Sequence, residues 1–179
     1  MTSIVIAQST LESLVADFFQ QSSGWWQSHR RYYTLQQVEE PQEVVSLLEV
    51  QFLPSGSPEL LELAGLHSLT DSEIMHCGSK VIWESNYIKE SRKPSKGSTI
   101  FGVLGNILYR DRGFATGKPV TAIYSFSNPQ TMCLKTEYND SFFEEEIKLI
   151  GANYRTRQTI ISRAGEEQVI GQYLEKRIL

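Results

Sequence analysis

The segment SFFEEEIKLIGANYRTRQTII, residues 141–161, has the pattern of two β-strands joined by a short turn at GAN. Successive side chains of a strand point to opposite faces. Glu145 therefore lies on one face of the first strand and its two glutamate neighbours lie on the other. Arg155 and Arg157 share one face of the second strand. The pattern predicts a β-hairpin that carries charge on both of its arms.

This charge has two interpretations. If Glu145, Arg155 and Arg157 face the interior of the protein, they must be paired or must bind a ligand, because unpaired buried charges are costly. The hairpin would then form a polar binding floor. If these residues face solvent, they form ordinary cross-strand ion pairs, which the pattern alone favours.

The rest of the chain is predicted to be mainly β. Strand-like runs are separated by turn signals such as PSGS, SNPQ, YNDS and RAGEE. The predicted strands are residues 25–37, 44–53, 74–90, 99–109, 120–126, 132–138, 142–150, 154–162 and 168–177. Many consecutive strands in a chain of this size predict a closed antiparallel barrel, which removes exposed sheet edges and leaves room for one ligand.

Two helices are predicted beside the barrel. Ser9 begins a capping-box pattern and is followed by an apolar stripe, so an amphipathic helix should end before Gly24. The stripe consists of Leu11, Leu14, Val15, Phe18 and Phe19. A short second helix is indicated by Ser57 as cap, Pro58 in the first turn and Gly65 as a stop.

Length and composition restrict the class of protein. With 179 residues, the chain is expected to form a single domain spanning residues 1–179. It has no apolar run of the ~20 residues that span a membrane. The absence of a leader-like N-terminus and the presence of only two cysteines predict a cytoplasmic protein. A net charge of −4 argues against nucleic-acid binding.

Aromatic and basic residues alternate in the segment GWWQSHRRYYT, residues 24–34. Rings can stack on a flat conjugated ligand and guanidinium groups can bind its carboxylates, which would give Trp26 and Arg30 ligand roles. An ordinary strand with its Trp in the core explains the segment equally well. Trp83 is either a core residue or part of the wall of a cavity.

The sequence contains no pattern for metal or nucleophilic chemistry. His76 and Cys77 lack further ligands at metal spacing, so no metal site is expected. Cys77 and Cys133 are expected to be small buried residues rather than nucleophiles. No phosphate-binding loop, dinucleotide fingerprint or nucleophile elbow is present.

Several blocks, in order along nearly the whole chain, resemble the S-type phycobiliprotein lyases, the CpcS, CpeS and CpcU group. FFQQSSGWWQSHRRYY is similar to the family's FF-x-x-SAG-x-W-x-SQR opening, and GSKVIWES to its G-x-x-V-x-W block. ILYRDRGFATGKPV resembles LLRDxGYAxxxPV, and LKTEYNDSFFEEEIKLIGANYRTR resembles TEY…EERIWFASPNLRLR. The tail QYLEKRI aligns Glu175 with the terminal glutamate of the family.

The resemblance implies a lipocalin-like (calycin) barrel that binds a phycobilin, a linear tetrapyrrole such as phycocyanobilin, as its substrate. The activity implied is attachment of the phycobilin, through a thioether, to a cysteine of an apo-phycobiliprotein subunit of the phycocyanin, allophycocyanin or phycoerythrin type. No tightly bound cofactor is implied, and a homodimer or a heterodimer with a related subunit is possible. KLIGAN replaces the family's WFASPN, so a bilin carrier or a non-catalytic partner subunit is the alternative. A fatty-acid-binding barrel, with an apolar lumen and one arginine, is a third.

The resemblance also implies roles for individual residues and turns the charged hairpin arms inward. The planar guanidinium groups of Arg30, Arg155 and Arg157 would bind the bilin propionates. Glu145 and Glu175 would act as catalytic groups by hydrogen-bonding the pyrrole N–H groups. Trp26 and Trp83 would form walls for the rings, and Arg110 is given no ligand role.

Overall fold

The computed structural model describes residues 2–37, 39–88 and 93–179, with side chains from residue 10 onward. These parts of the chain contain two helices and ten strands. They are α1 (Thr2–Ser22), β1 (Gly24–Thr34), β2 (Gln42–Pro54), α2 (Pro58–Leu66), β3 (Cys77–Tyr87), β4 (Ser95–Leu104), β5 (Ile107–Arg110), β6 (Val120–Asn128), β7 (Thr131–Tyr138), β8 (Ser141–Ile150), β9 (Tyr154–Arg163) and β10 (Glu166–Arg177). Neither helix of the described residues is long and apolar enough to cross a membrane.

The strands form a closed antiparallel barrel in the order β1-β10-β9-β8-β7-β6-β5-β4-β3-β2. Each strand from β2 onward pairs with the next one in the chain, and β1 closes the barrel by pairing with both β10 and β2. The predicted closed barrel is therefore confirmed. The charged arms of the hairpin are β8 and β9, and Ile150 pairs with Tyr154 across the three-residue turn.

The predicted strand 99–109 is wrong as a single element, because it is two strands. β4 and β5 form a tight hairpin in which Leu104 pairs with Ile107 around Gly105-Asn106. Gly105 has φ +62°, a conformation that glycine adopts without steric cost and that two-residue hairpin turns require. The correction matters for the site, because it makes Arg110 the last residue of β5 and places its side chain on the interior face of that strand.

Several predicted boundaries also differ from the structure; the first predicted strand, for example, ends at Thr34 rather than at residue 37. Helix α1 begins at Thr2, so Ser9 lies inside it and is not a cap. A serine-initiated capping pattern does not exclude helix on its N-terminal side, since serine is tolerated within helices. Strand β3 begins at Cys77 rather than at residue 74, and residues 89–90 of that predicted strand lie outside the described residues.

Helix α1 packs against one end of the barrel interior. Val15, Phe18 and Phe19 of the predicted stripe are buried in a cluster with inward-facing side chains of β1 to β8. The ring of Phe18 packs edge-on against Phe126 of β6, with centroids 5.6 Å apart. The helix therefore fills part of the interior and leaves the remaining space as a cavity.

Helix α2 lies on the outer surface of the barrel. Leu60 and Leu63 pack with Leu53 and Met75 in a second, smaller core. This helix begins at Pro58, as the sequence predicted, but it continues through the predicted stop at Gly65 to Leu66. Its close approach depends on Gly78 of β3, where an added Cβ would lie 2.5 Å from Leu60 Cδ2.

Candidate functional site

The barrel encloses a cavity of about 590 Å³, which lies within the ~300–1,000 Å³ range of small-molecule sites. Its apolar walls come from both sides of the barrel and from helix α1. They include Phe18, Leu48, Val50, Phe101, Leu108, Leu134 and Ile147. Among these walls lie five arginines, Arg30, Arg110, Arg112, Arg155 and Arg157. No acidic residue occurs among the described residues that line the cavity, so the lining is cationic.

The two arms of the charged hairpin, β8 and β9, contribute charged side chains to the interior. Glu145, Arg155 and Arg157 face the interior, and Glu145 and Arg155 are only 4% and 8% exposed. Arg157 forms an ion pair with Glu145 across β8 and β9. Arg155 forms an ion pair with Glu175, its direct cross-strand neighbour on β10. The inward-facing interpretation of the charged hairpin is therefore correct.

Neighbouring charges favour the charged forms of Glu175 and Arg157, one member of each ion pair. Burial opposes ionisation of Glu175, but the charges of Arg155, Arg157 and Arg30 and a hydrogen bond from Arg155 together hold the pKa of Glu175 below its ordinary value. Burial likewise opposes the charge on Arg157, while Glu145 and other neighbours raise the pKa of Arg157 above its usual range. Glu175 and Arg157, one member of each pair, are therefore held in their charged forms.

Three interior side chains lie in a row across the neighbouring strands β9, β10 and β1. Arg157, Tyr173 and Arg30 lie opposite one another on β9, β10 and β1. The guanidinium carbons of Arg157 and Arg30 lie 5.5 and 5.2 Å from the centroid of the Tyr173 ring. Arg30 Nε donates a 3.2 Å hydrogen bond to Ser28 Oγ. These contacts orient the Arg30 fork beside the two ion pairs.

Trp83 lines the opposite wall of the cavity. Its ring lies against Gly97 of β4, where an added Cβ would be 2.5 Å from ring atom Cζ2. The guanidinium carbon of Arg112 lies 5.6 Å from the Trp83 ring centroid. The aromatic ring of Trp83 and the positive charge of Arg112 thus lie side by side in the cavity wall.

Trp26 occupies a different place from the predicted ligand wall. Its ring is fully buried and is not among the residues that line the cavity. The guanidinium carbons of Arg155 and Arg177 lie 5.0 and 4.2 Å from its centroid, and its Nε1 donates to the carbonyl of Ser22. In the described structure the Trp26 ring packs against the Arg155 guanidinium and does not line the cavity.

The two glutamates also lie outside the cavity lining. Glu145 and Glu175 are 4% and 1% exposed, and each holds an arginine that does line the cavity. One oxygen of Glu145, Oε2, is buried and has no hydrogen-bond partner within residues 2–37, 39–88 and 93–179. Glu145 therefore retains one free acceptor, while Glu175 is committed to Arg155.

The structure also brings residues into the site that the sequence analysis left out. Arg110, Arg112 and Phe114 line the cavity, as does Tyr173. A signal for Arg110 is present in the sequence. Once Gly105-Asn106 is recognised as a turn, the alternation of side chains along β5 places Arg110 on the same, interior face as Leu108.

Both cysteines lie outside this arrangement. Cys77 is 1% exposed in the core, and burial, followed by the nearby charge of Glu12, raises the pKa of its thiol to about 12. Cys133 lies on β7 and is only half-buried, so its predicted burial is wrong, and its Sγ lies 3.8 Å from the hydroxyl of Ser127. Cys77 is therefore a protonated thiol at neutral pH.

Comparison with known proteins agrees with the fold and adds a family. The family model described as CpeS-like protein matches residues 14–178. "Putative phycocyanobilin lyase CpcS 2" of Nostoc sp. (strain PCC 7120) is 59% identical over 94% of this chain and 93% of its own length. "Chromophore lyase CpcS/CpeS" of Thermosynechococcus vestitus is 27% identical over 84% of this chain and 85% of its own length.

A solved structure shares the architecture. The S-type phycobiliprotein lyase CpeS from Guillardia theta superimposes with a TM-score of 0.76 at 21% identity, covering 92% of this chain and 93% of that one. At this identity the likeness shows the fold. The match of the family model over most of the chain, together with the 59% identical relative, shows that the chain belongs to the CpeS-like family.

Proposed function

We propose that this chain is a phycobiliprotein lyase, which binds a phycobilin in the barrel and joins it to a cysteine of an apo-phycobiliprotein subunit. The observation that carries the proposal is the cavity inside the barrel, which has five arginines, an aromatic wall and no acid among its described lining residues. This lining suits a long conjugated ligand with two carboxylates. A fatty acid has only one carboxylate to share among Arg30, Arg110 and Arg112, the lining arginines that form no glutamate ion pair among the described residues.

The proposed reaction is the addition of a thiol to a carbon–carbon double bond. The acceptor thiolate attacks the ethylidene carbon of the bilin and forms the C–S bond. The electron pair of the double bond moves into the tetrapyrrole, and a proton is then taken up at the neighbouring ring carbon. The thiol proton balances that uptake, so no oxidant or reductant is consumed.

In this proposal the lyase supplies binding and geometry rather than a nucleophile. Arg30, Arg155 and Arg157 bind the carboxylate side of the ligand, and Trp83 forms a wall for its rings. A ligand carboxylate that attracts Arg157 competes with Glu145 for the same guanidinium. The glutamate thereby gains freedom to accept a hydrogen bond from a pyrrole N–H, which favours the protonated and more electrophilic bilin.

Glu175 and Trp26 act through other residues in the proposal. Glu175 holds Arg155 by their ion pair, and the buried ring of Trp26 lies against the same guanidinium. They are positioning residues for Arg155. The cytoplasmic location, the absence of a resident cofactor and a homo- or heterodimeric working form stay predictions.

The test mixes the purified protein with phycocyanobilin and an apo-phycobiliprotein, and measures covalent colour on the acceptor after denaturation. We expect coloured acceptor to form much faster than in a reaction without the lyase. The variant with Cys77→Ala and Cys133→Ala should match the parent, because the attacking thiol belongs to the acceptor. Binding without transfer would support the bilin carrier or non-catalytic subunit instead. Absence of both would contradict the proposal.

A further inference from the structure

Arg110 differs from Arg155 and Arg157 in forming no ion pair with any acid among the described residues. Its side chain is 6% exposed at the end of β5. Nε and Nη1 are buried and make no hydrogen bond to any residue in the described part of the chain. Arg155 and Arg157, in contrast, are each paired with a glutamate.

Aromatic rings fix the orientation of the Arg110 fork. Its guanidinium carbon lies 4.9 Å from the centroid of the Phe101 ring and 4.6 Å from that of Phe114. Phe114 in turn stacks on Phe143 at 4.9 Å with an interplanar angle of 14°. The guanidinium is thus held by rings that cannot neutralise its charge.

The two acids nearest to Arg110 in this region make their contacts with other groups. Glu145 is paired with Arg157, and Oδ1 of Asp111 accepts hydrogen bonds from the Thr99 hydroxyl and the Ile100 amide. Burial, opposed first by the charge of Glu145, lowers the pKa of Arg110. Nearby acids thus favour the positive charge of Arg110 from a distance, but none of the described acids forms an ion pair with it.

The position of Arg110 around the barrel separates it from Arg30, while Arg157 is near enough for its charge to act on Arg110. Going one way, β4, β3 and β2 intervene between Arg110 on β5 and Arg30 on β1. Going the other way, β6 to β10 intervene. Both residues nevertheless line the same cavity, so one ligand can reach both.

We propose that Arg110 receives one carboxylate of the ligand, while the second carboxylate binds at Arg30, Arg155 and Arg157. This assignment rests on the proposed function, and it specifies a dicarboxylate held from two sides of the barrel. A neutral carbonyl group would satisfy the Arg110 hydrogen bonds but would provide no ion-pair partner. A carboxylate does both, and its two oxygens match the planar fork.

The experiment compares phycocyanobilin with its dimethyl ester, using absorbance titration to obtain the two dissociation constants. The ratio of these constants is the ester penalty, and it is measured for the parent, for Arg110→Met and for the exposed control Arg163→Met. Loss of a charge-assisted contact corresponds to about ten- to a hundredfold. We expect the ester penalty of Arg110→Met to be smaller than that of the parent by this factor, and Arg163→Met to keep the parent's penalty.

The other outcomes overturn the assignment. If Arg110→Met weakens the acid and the ester equally, Arg110 contacts a neutral part of the ligand. If it weakens neither, Arg110 makes no contact with the ligand. Arg110→Gln, which retains N–H donors but loses the charge, gives the same readout should the Met variant fail to fold. A parent that binds neither compound contradicts the proposed function itself, which distinguishes the two failures.

Discussion

Arg157 on β9 and Glu145 on β8 form a diagonal ion pair inside the barrel, since Arg157 lies directly opposite Ile147 and Glu145 opposite Thr159. The Glu145 side chain is 1% exposed and the Arg157 side chain 22%. The pair therefore joins two strands below the surface of a cavity, where a single unpaired charge is costly. This arrangement makes the ion pair a structural element of the barrel interior.

Removal of one partner should destabilise the fold more than removal of both. Arg157→Met leaves Glu145 unpaired, and we expect the free energy of unfolding to fall by about 3 kcal/mol, the lower end for a buried pair because Arg157 is partly exposed. The double variant with Glu145→Leu should be more stable than this single variant. Urea denaturation of the parent and the variants measures the difference.

The surface pair of Arg31 and Glu43 is the control for that experiment. Its atoms are 3.4 Å apart, and the side chains are 60% and 27% exposed. Arg31→Met should cost below about 1 kcal/mol. Equal losses for Arg31→Met and Arg157→Met would show that the interior pair contributes no more than a solvated one.

The stability of the protein should depend on pH through Glu175. Because the folded protein holds the Glu175 pKa below its ordinary value of 4.5, ionised Glu175 stabilises the fold at all pH values above 4.5. This contribution is lost as the pH falls through 4.5 toward the folded pKa. The difference in unfolding free energy between the parent and Glu175→Gln should therefore shrink on acidification, as measured by urea denaturation at several pH values. A difference that stays constant down to acidic pH would contradict the buried pair.

Gly97→Ala should disturb the ligand wall without altering any charged residue. The added Cβ would lie 2.5 Å from Cζ2 of Trp83, so the ring must move. We expect overpacking to cost on the order of 1–3 kcal/mol, divided between stability and affinity for phycocyanobilin. Absorbance titration and thermal unfolding measure the two parts.

Gly117→Ala provides the matched control, because no atom lies within 4 Å of the position of its added Cβ. It should bind phycocyanobilin like the parent. If Gly97→Ala also binds like the parent and its tryptophan emission is unchanged, Trp83 does not form the wall that we assign to it.

The barrel was predictable because local signals and the global fold agree. Period-two alternation and regular turn signals indicated nearly every strand, and the apolar stripe of α1 identified its buried face. The missed turn at Gly105-Asn106 shows the limit of this reasoning. Apolar residues on both sides resemble one continuous strand, and two residues suffice to reverse the chain.

The partners within the site could not be read from spacing alone. The pairing of Arg155 with Glu175 requires the register of β9 and β10, which a single residue of slippage would change. That Arg110 has no ion-pair partner among the described residues could be seen only once the interior side chains of all the strands were placed. The burial of Trp26 depends on Ser22 at the end of α1, four residues before it, and on Arg177, which is distant in sequence.

The central claim is that the interior carboxylate of the hairpin assists thioether formation, and Glu145→Gln tests it most directly. This substitution keeps the size and hydrogen-bonding capacity of the side chain while removing its charge. Glu146→Gln is the matched control, since Glu146 is adjacent in β8 and exposed on the outer face. The measurement is the rate of covalent chromophore transfer from phycocyanobilin to an apo-phycobiliprotein, together with the absorbance spectrum of the bound bilin.

We predict that Glu145→Gln still binds phycocyanobilin, because the arginines and the aromatic wall remain. Its transfer rate should fall by roughly 10²–10⁴, the usual range for loss of acid–base or electrostatic assistance, and its red-shifted band should weaken. Glu146→Gln should transfer at the parent rate. Transfer by Glu145→Gln at the parent rate and with the parent spectrum would contradict the account.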